Sequence, residues 1–150
     1  LFSLTNLITS LNILGVMNNS SIPISNLFNV DRILVVTKLT DRFNFKGVAI
    51  TLRESKSAND NDWSGMLYTD GQAYFSKKYS MHIVDRVGGG DSFGGGLIYS
   101  LLNGYDSQSA IEFAVAASCL KHSIEGDYNM VSVGEVQNLA GGDTSGRVQR

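Results

Sequence analysis

The stretch DRVGGGDSFGGGL, residues 85–97, places six glycines and two aspartates where the chain passes into a predicted helix. Each glycine inside a helix costs about 1 kcal/mol relative to alanine, so this composition needs another reason. A helix N-terminus has unpaired N–H groups and a partial positive charge, and preceding glycines let an anion approach them. We therefore expect an anion pocket at Gly88, Gly89 and Gly90, and close helix packing at Gly94–Gly96.

Asp91 follows the first glycine run directly. A carboxylate beside a bound phosphate is unfavourable unless it has a task, such as accepting the proton of a hydroxyl that attacks phosphorus. The Walker pattern is excluded because its lysine is missing, and Phe93 stands where the dinucleotide fingerprint needs glycine. The residues alone leave two interpretations open: a general base at the rim of an anion pocket, or a carboxylate that only caps the helix.

The composition limits the class of protein. The chain has 150 residues, enough for one domain, and a net charge of −2 without a long basic tract, so we expect no nucleic-acid binding. No apolar run is long enough to span a membrane. The single cysteine, Cys119, lies in an alanine-rich apolar run, which predicts a buried, reduced thiol and fits a cytoplasmic location.

Residues 1–30 contain no charged side chain, and we assign them no function although Leu4, Leu7, Leu11 and Leu14 have helical spacing. The expected domain is residues 31–141, and residues 142–150 form a glycine-rich tail that we expect to fray.

Alternating helix and strand patterns predict an α/β fold. Apolar spacing predicts a helix over residues 31–46 that Gly47 ends. Val48–Leu52 is a continuous apolar run, as in an interior strand, and the polar residues 53–62 predict a loop. Asp70-Gly71 is a preferred hairpin turn. The flanking strands are expected at Met66–Thr69 and Gln72–Phe75, with another strand within residues 79–85.

The second half of the domain is predicted to be helical. Helices are expected over residues 92–103 and 107–122, with a short helix after Ser132. Ser109 with Glu112, and Ser132 with Glu135, have the spacing of capping boxes.

Residues 85–97 resemble the second signature of the ribokinase-like (pfkB-type) carbohydrate kinases, D-T-x-G-A-G-D-x-F followed by small residues. The matching positions are Asp85, Gly88, Gly90, Asp91 and Phe93. Arg86 replaces the usual threonine and Gly89 the usual alanine. This variant, together with VAITLRES (48–55) and GDYNMVSVGEV (126–136), is similar to the 2-keto-3-deoxygluconate kinases in particular, and the resemblance covers residues 38–150.

The resemblance implies a ribokinase-like three-layer sandwich and phosphoryl transfer from ATP, with Mg²⁺, to a small-molecule sugar acid. It implies that Asp91 is the catalytic base and that Gly88–Gly90 form the anion hole. Asp85 would organise the motif and its cation surroundings. The nucleotide would contact three segments. These are Thr51–Glu54, in which Arg53 lies, then the wall Ala114–Ser118, and finally the loop near Asn129.

Arg86 and Arg53 are candidates for binding the substrate carboxylate, because the guanidinium group matches a carboxylate bidentately. A surface ion pair is the alternative for both. His82 and His122 lack the neighbours of a metal site, and His122 is expected to interact with a helix C-terminus. Residues 121–123 and 76–80 are expected to be solvated. Hairpin packing is expected for the aromatic residues Trp63, Tyr68, Tyr74 and Phe75.

Members of the family are considerably longer, and this chain is expected to correspond to their C-terminal, nucleotide-side part. We therefore expect little kinase turnover from the isolated chain, and we expect an exposed sheet edge that favours homo-oligomers. Two alternatives stay open: a nucleotide-binding fragment without catalysis, and a non-enzymatic α/β domain, against which Asp91 argues.

Overall fold

A computed structural model describes residues 24–142, with side chains from residue 29 onward. The leucine spacing within residues 1–23 and the tail over residues 143–150 lie outside the described residues. The helices are α1 (Ile24–Phe43), α2 (Gly89–Leu102), α3 (Ser107–His122) and α4 (Val133–Gly141). The strands are β1 (Gly47–Ser55), β2 (Asp60–Thr69), β3 (Gln72–Phe75) and β4 (Tyr79–His82).

The strands form one four-stranded antiparallel sheet around β2. The whole length of β1 pairs with one edge of β2, from Gly47 opposite Thr69 to Ser55 opposite Asn61. On its other edge β3 pairs with the second half of β2, and β4 pairs with the first half. The prediction of an interior strand at Val48–Leu52 is wrong within the described sheet, because β1 lies at its edge and β2 takes the centre.

The sheet separates two apolar layers, because alternate side chains of β2 point to opposite faces. Met66 and Tyr68 pack with Ile50 and with Val36 of α1 on one face. Trp63 and Leu67 pack against α2 and α3 on the other face, in a cluster with Phe93, Ile111, Ala114, Val115 and Cys119. The helix–sheet–helix order confirms the expected sandwich, and the buried Cys119 thiol is confirmed.

The hairpin prediction is confirmed. Asp70 has φ 52° and Gly71 has φ 77°, so both central residues take the left-handed conformation of a type I′ turn. The four aromatic residues expected to pack there are buried or half-buried against the core clusters. The loop expected over residues 53–62 is much shorter. β1 and β2 continue into it, and the Ser57 hydroxyl closes the turn by accepting hydrogen bonds from the N–H groups of Asn59 and Asp60.

Several helix ends differ from the sequence prediction. α1 begins at Ile24, and Asn44, with φ 53°, follows its end at Phe43, ahead of the expected stop at Gly47. α3 has the predicted range, but its N-cap is Asp106, whose carboxylate accepts the N–H of Ser109 at 2.9 Å. The capping box at Ser109 is therefore wrong.

The predicted capping box of Ser132 and Glu135 is confirmed at the start of α4. No helix among residues 24–142 is both long enough and apolar enough to cross a membrane.

Candidate active site

The glycine turn, residues 88–90, leads from β4 into α2. Gly88 is the N-cap of α2 and has φ 76° and ψ −4°, in the left-handed region that L side chains rarely adopt. A Cβ on Gly88 would lie 2.3 Å from the carbonyl oxygen of Asp127, and a Cβ on Gly89 would lie 2.4 Å from Cε1 of His122. A Cβ on Gly90 would meet nothing within 4 Å. The first two glycines are required by close contacts, whereas the third faces open space.

Asp91 is the third residue of α2 and is exposed. The alternative in which Asp91 caps the helix is wrong, because Gly88 holds the N-cap position and no side chain forms a cap hydrogen bond there. α2 begins three residues earlier than expected, so its first turn contains Gly89, Gly90 and Asp91. This arrangement places a free carboxylate beside the positive end of the helix.

The end of α3 supports the glycine turn from within the protein. The Ser118 hydroxyl donates to the carbonyl of Gly89 at 2.8 Å. Nδ1 of His122 lies 2.7 Å from the carbonyl of Ser118, and because a carbonyl can only accept, Nδ1 carries the proton. The imidazole packs against Trp63 with ring centroids 4.9 Å apart. Burial lowers the pKa of His122, so the ring is neutral at pH 7.

Asp85 ties the start of the motif to a neighbouring loop. Its two carboxylate oxygens accept the N–H of Val87 at 3.0 Å and the N–H of Gly126 at 2.9 Å. These two backbone hydrogen bonds are the main reason that the pKa of Asp85 lies below its ordinary value. The ionised carboxylate of Asp85 therefore joins the start of the motif, at Val87, to the loop at Gly126. These are the two segments that meet at Gly88.

A cleft of about 390 Å³ opens beside Asp91. Its floor is formed by small or apolar residues, among them Gly96, Phe113, Ala117 and Val136. Residues of the segment 127–133 also line the cleft. The helices α2 and α3 can approach closely here because Gly96 has no side chain. A Cβ on Gly96 would lie only 3.1 Å from Cα of Ala114. The lining is therefore mostly apolar and includes two carboxylates, those of Asp91 and Asp127.

The structure brings together only part of the predicted site. Asp91 and Asn129 both line the cleft. The Asn129 amide donates to the hydroxyl of Ser92 at 3.1 Å, which orients the loop against α2. Of the predicted wall Ala114–Ser118, Ala117 lines the cleft and Ser118 bonds to the glycine turn.

The β1 residues of the predicted site lie elsewhere. Thr51 and Arg53 are exposed on β1 and do not line the cleft. The guanidinium of Arg86 donates to the carbonyl of Ala58, in the turn between β1 and β2. Neither arginine forms an ion pair with a carboxylate among residues 29–142, so the surface ion pair is not found there. Both are close enough to His122 for their charges to contribute to lowering its pKa, after burial.

The sequence interpretation missed Lys121 and His122, which were expected to be solvated. Lys121 is 0% exposed and His122 is 5% exposed. A helical signal was available: His122 follows Ser118 by four positions and Ala114 by eight, so all three lie on one buried face of α3.

Comparisons with known proteins find carbohydrate kinases that are similar to this chain. Residues 61–133 match the sequence model of the pfkB family of carbohydrate kinases. The chain is 54% identical to 2-dehydro-3-deoxygluconokinase of Thermotoga maritima, with a TM-score of 0.73, over 74% of this chain and 34% of that one. A pfkB family carbohydrate kinase of Listeria grayi is 33% identical, with a TM-score of 0.68, over 70% of this chain and 33% of that one.

A further relative, 2-dehydro-3-deoxygalactonokinase of Haloferax volcanii, is 27% identical over 110 residues, which are 73% of this chain and 32% of the relative. The chain spans about a third of the length of each of these proteins. The matched residues include the glycine turn, and over this part the chain is similar to the pfkB carbohydrate kinases. Its similarity to 2-dehydro-3-deoxygluconokinase, another name for 2-keto-3-deoxygluconate kinase, confirms the resemblance predicted from the motif.

Proposed function

We propose that this chain binds ATP at the glycine turn and the cleft, and that it serves phosphoryl transfer to a hydroxyl of a sugar acid, 2-keto-3-deoxygluconate. The observation that carries the proposal is the glycine turn itself. Gly88 adopts a left-handed conformation and leaves no room for a side chain. The turn therefore presents backbone N–H groups of the α2 N-terminus beside an exposed carboxylate, Asp91.

The cleft supports the nucleotide part of the proposal. A purine is mostly apolar, and so is the lining of the cleft, which includes Gly96, Ala117 and Val136. The amide of Asn129 offers hydrogen bonds at its wall. With the base in this cleft, the phosphates extend toward the first turn of α2 and Asp91.

Asp91 takes the role of general base in this proposal. Its carboxylate is exposed in the first turn of α2, so it can accept the proton of a substrate hydroxyl while the N–H groups nearby bind the transferring phosphate. Arg86 is proposed to bind the sugar-acid carboxylate with its remaining N–H donors. Thr51 and Arg53 of β1, and Asp85 through the motif that it holds, are proposed to support nucleotide binding.

Mg²⁺ is proposed to accompany the nucleotide. Among the described residues no three His, Cys, Asp or Glu side chains are grouped so that they could hold a metal ion by themselves. Nucleotide-bound Mg²⁺ takes most of its ligands from phosphates and water, with one or two carboxylates. Asp127, the second carboxylate that lines the cleft, fits that donor set. Bound there, Mg²⁺ would neutralise phosphate charge.

Nucleotide binding without catalysis is the second candidate function. The residues that line the cleft all lie within residues 91–136, and this part of the chain can be tested for nucleotide binding by itself. Binding and phosphoryl transfer can therefore be tested separately.

The test of transfer places residues 31–141 into the Thermotoga maritima kinase, in exchange for the segment that they match. In this chimera we expect Asp91→Asn to leave ATP affinity unchanged and to lower turnover by about 10²–10⁴-fold, as for a lost general base. Asp106→Asn is the matched control, because it makes the same chemical change at the N-cap of α3. Equal turnover in the two variants would leave only the nucleotide-binding function.

A further inference from the structure

Lys121 lies against the glycine turn from inside the protein. Its side chain is 0% exposed at the end of α3. Its Cε lies 3.1 Å from the position that a Cβ on Gly88 would take. Its ammonium group donates to the carbonyl of Ile124 at 3.0 Å. The side chain therefore ends between the turn and the loop that Asp85 joins to it.

The charge of this lysine is not neutralised by an ion pair. No carboxylate among residues 29–142 lies within ion-pair distance of its ammonium group. Of its three N–H donors, one is used by the carbonyl of Ile124. Asp85 is close enough to interact with the charge, but its oxygens are bonded to the N–H groups of Val87 and Gly126. Burying an ammonium group without an ionic partner is costly, so its presence needs a reason.

We infer that Lys121 is a positioning residue of the anion site: its buried ammonium group strengthens the binding of phosphate groups at the glycine turn. This inference rests on the proposed function. The backbone N–H groups of the α2 N-terminus attract an anion directly, and Lys121 adds a full positive charge behind them. In a protein interior a charge acts over several ångströms with little screening by water. The bound phosphates in turn provide the counter-charge that the buried lysine lacks.

Two other basic side chains near the glycine turn, those of His122 and Arg86, do not place a buried positive charge behind it. His122 also contacts the glycine turn, but its ring is buried with Nδ1 bonded to a carbonyl and adds no charge at neutral pH. Arg86 is tethered to the carbonyl of Ala58 on the exposed surface. Among residues 29–142, Lys121 is thus the lysine or arginine that is both buried and next to the Cβ position of Gly88.

Lys77 provides a closely matched control. Its ammonium group also donates to a backbone carbonyl, that of Ala140, at 2.8 Å. It also lies beside a glycine with positive φ, 3.0 Å from the position of a Cβ on Gly142. Lys77 differs from Lys121 in two respects: it is exposed, and its ammonium group contacts the C-terminal end of α4, away from the glycine turn.

The experiment is calorimetric titration of the full chain with ATP, with pyrophosphate and with adenosine. Lys121→Met keeps the length of the side chain and removes its charge, a change that buried positions tolerate well. We expect this variant to bind ATP and pyrophosphate roughly tenfold or more weakly and to bind adenosine as the wild type does. Lys77→Met should bind all three ligands as the wild type does.

A measurement on the wild-type chain covers the case in which Lys121→Met does not fold. With ¹⁵N-labelled lysine, pyrophosphate should shift the ammonium resonance of Lys121 and leave that of Lys77 in place. The inference is overturned if Lys121→Met binds pyrophosphate like the wild type, or if the Lys121 resonance does not move while pyrophosphate binds. A wild-type chain that binds neither ATP nor pyrophosphate overturns the proposed function as well.

Discussion

The two glycine runs of α2, residues 88–90 and 94–96, look alike in sequence and differ in the structure. In the first run, Gly88 and Gly89 are in such close contact with Asp127 and His122 that no side chain fits. In the second run only Gly96 is tightly packed, and a Cβ on either of its two neighbours, Gly94 and Gly95, would meet nothing within 4 Å. The prediction that all of Gly94–Gly96 serve close packing is therefore wrong for Gly94 and Gly95.

The difference shows that a glycine can be required for two physical reasons. Gly88 combines a left-handed backbone with a close backbone neighbour, so both conformation and space exclude a side chain. Gly96 has ordinary helical geometry and is limited by space alone. Where neither reason applies, as at Gly94, glycine only lowers helix stability. Each class predicts a different effect of the same Gly→Ala substitution.

The largest effect is expected at Gly88. Gly88→Ala places a methyl group on a left-handed residue and against the carbonyl of Asp127, so we expect a loss of about 3–5 kcal/mol in the free energy of unfolding. Urea denaturation measures the loss. Gly71→Ala is the control, because Gly71 has φ 77° but open space around its Cβ position, so that variant reports the conformational cost alone. Equal losses in the two variants would show that the contact with Asp127 does not matter.

The next effect is expected at Gly89. A methyl group there would collide with the imidazole of His122, and we expect Gly89→Ala to cost about 2–3 kcal/mol. Removing the ring in the double variant Gly89→Ala, His122→Ala should cost less than the sum of the two single changes, which a double-mutant cycle measures. Gly90→Ala has no neighbour within 4 Å and should cause no loss of stability. Additive costs would indicate that His122 moves away without loss.

The support of the first run by His122 should depend on pH. Burial lowers the pKa of His122 below its ordinary value of 6.5, so between these two values the unfolded chain binds more protons than the folded chain. The contribution of the neutral ring to the free energy of unfolding is fully present above pH 6.5 and is lost as the pH falls below 6.5. Thermal unfolding between pH 7.5 and 5.5 should show a fall in Tm.

His122→Asn should flatten the pH dependence, because the asparagine amide can still donate to the carbonyl of Ser118 but does not titrate. The carboxylates with lowered pKa values, Asp85 among them, titrate below 3.8, outside this interval. A wild-type Tm that does not change between pH 7.5 and 5.5 would contradict the buried neutral state.

The smallest effects are expected in the second run. Gly94→Ala and Gly95→Ala should each raise the free energy of unfolding by about 1 kcal/mol, because alanine favours the helix and both sites have open space. Of these two glycines, Gly95 lines the cleft and Gly94 does not. Gly95→Ala should therefore weaken ATP binding several-fold, whereas Gly94→Ala should leave it unchanged. Equal binding in the two variants would place the nucleotide outside this cleft.

Much of the fold was predictable from local sequence because its causes are local. The hairpin follows from Asp70-Gly71 between two β-rich runs, the range of α3 from its apolar spacing, and the capping box of α4 from Ser132 and Glu135. A prediction was wrong where two local patterns overlap in the sequence. Ser109 and Glu112 match a capping box, but Asp106 lies three residues earlier and is an equally good cap.

The candidate site was predictable in its motif and not in its surroundings. The residues Gly88–Asp91 stand together in sequence, so their spacing was enough to indicate an anion site at a helix N-terminus. The neutral state of His122 was not predictable, because its ring is kept neutral by contacts with Trp63 and Gly89, which come from other segments of the chain.

The sequence by itself determined the identity of the helices and strands, the hairpin and the glycine turn, because each depends on the intrinsic preferences of neighbouring residues. Only the tertiary structure decided that β2 is the central strand, that Lys121 is buried against Gly88, and that Asp91 shares a cleft with Asn129. The last two of these features join residues that are more than thirty positions apart. Their formation depends on how whole elements pack, which local spacing does not specify.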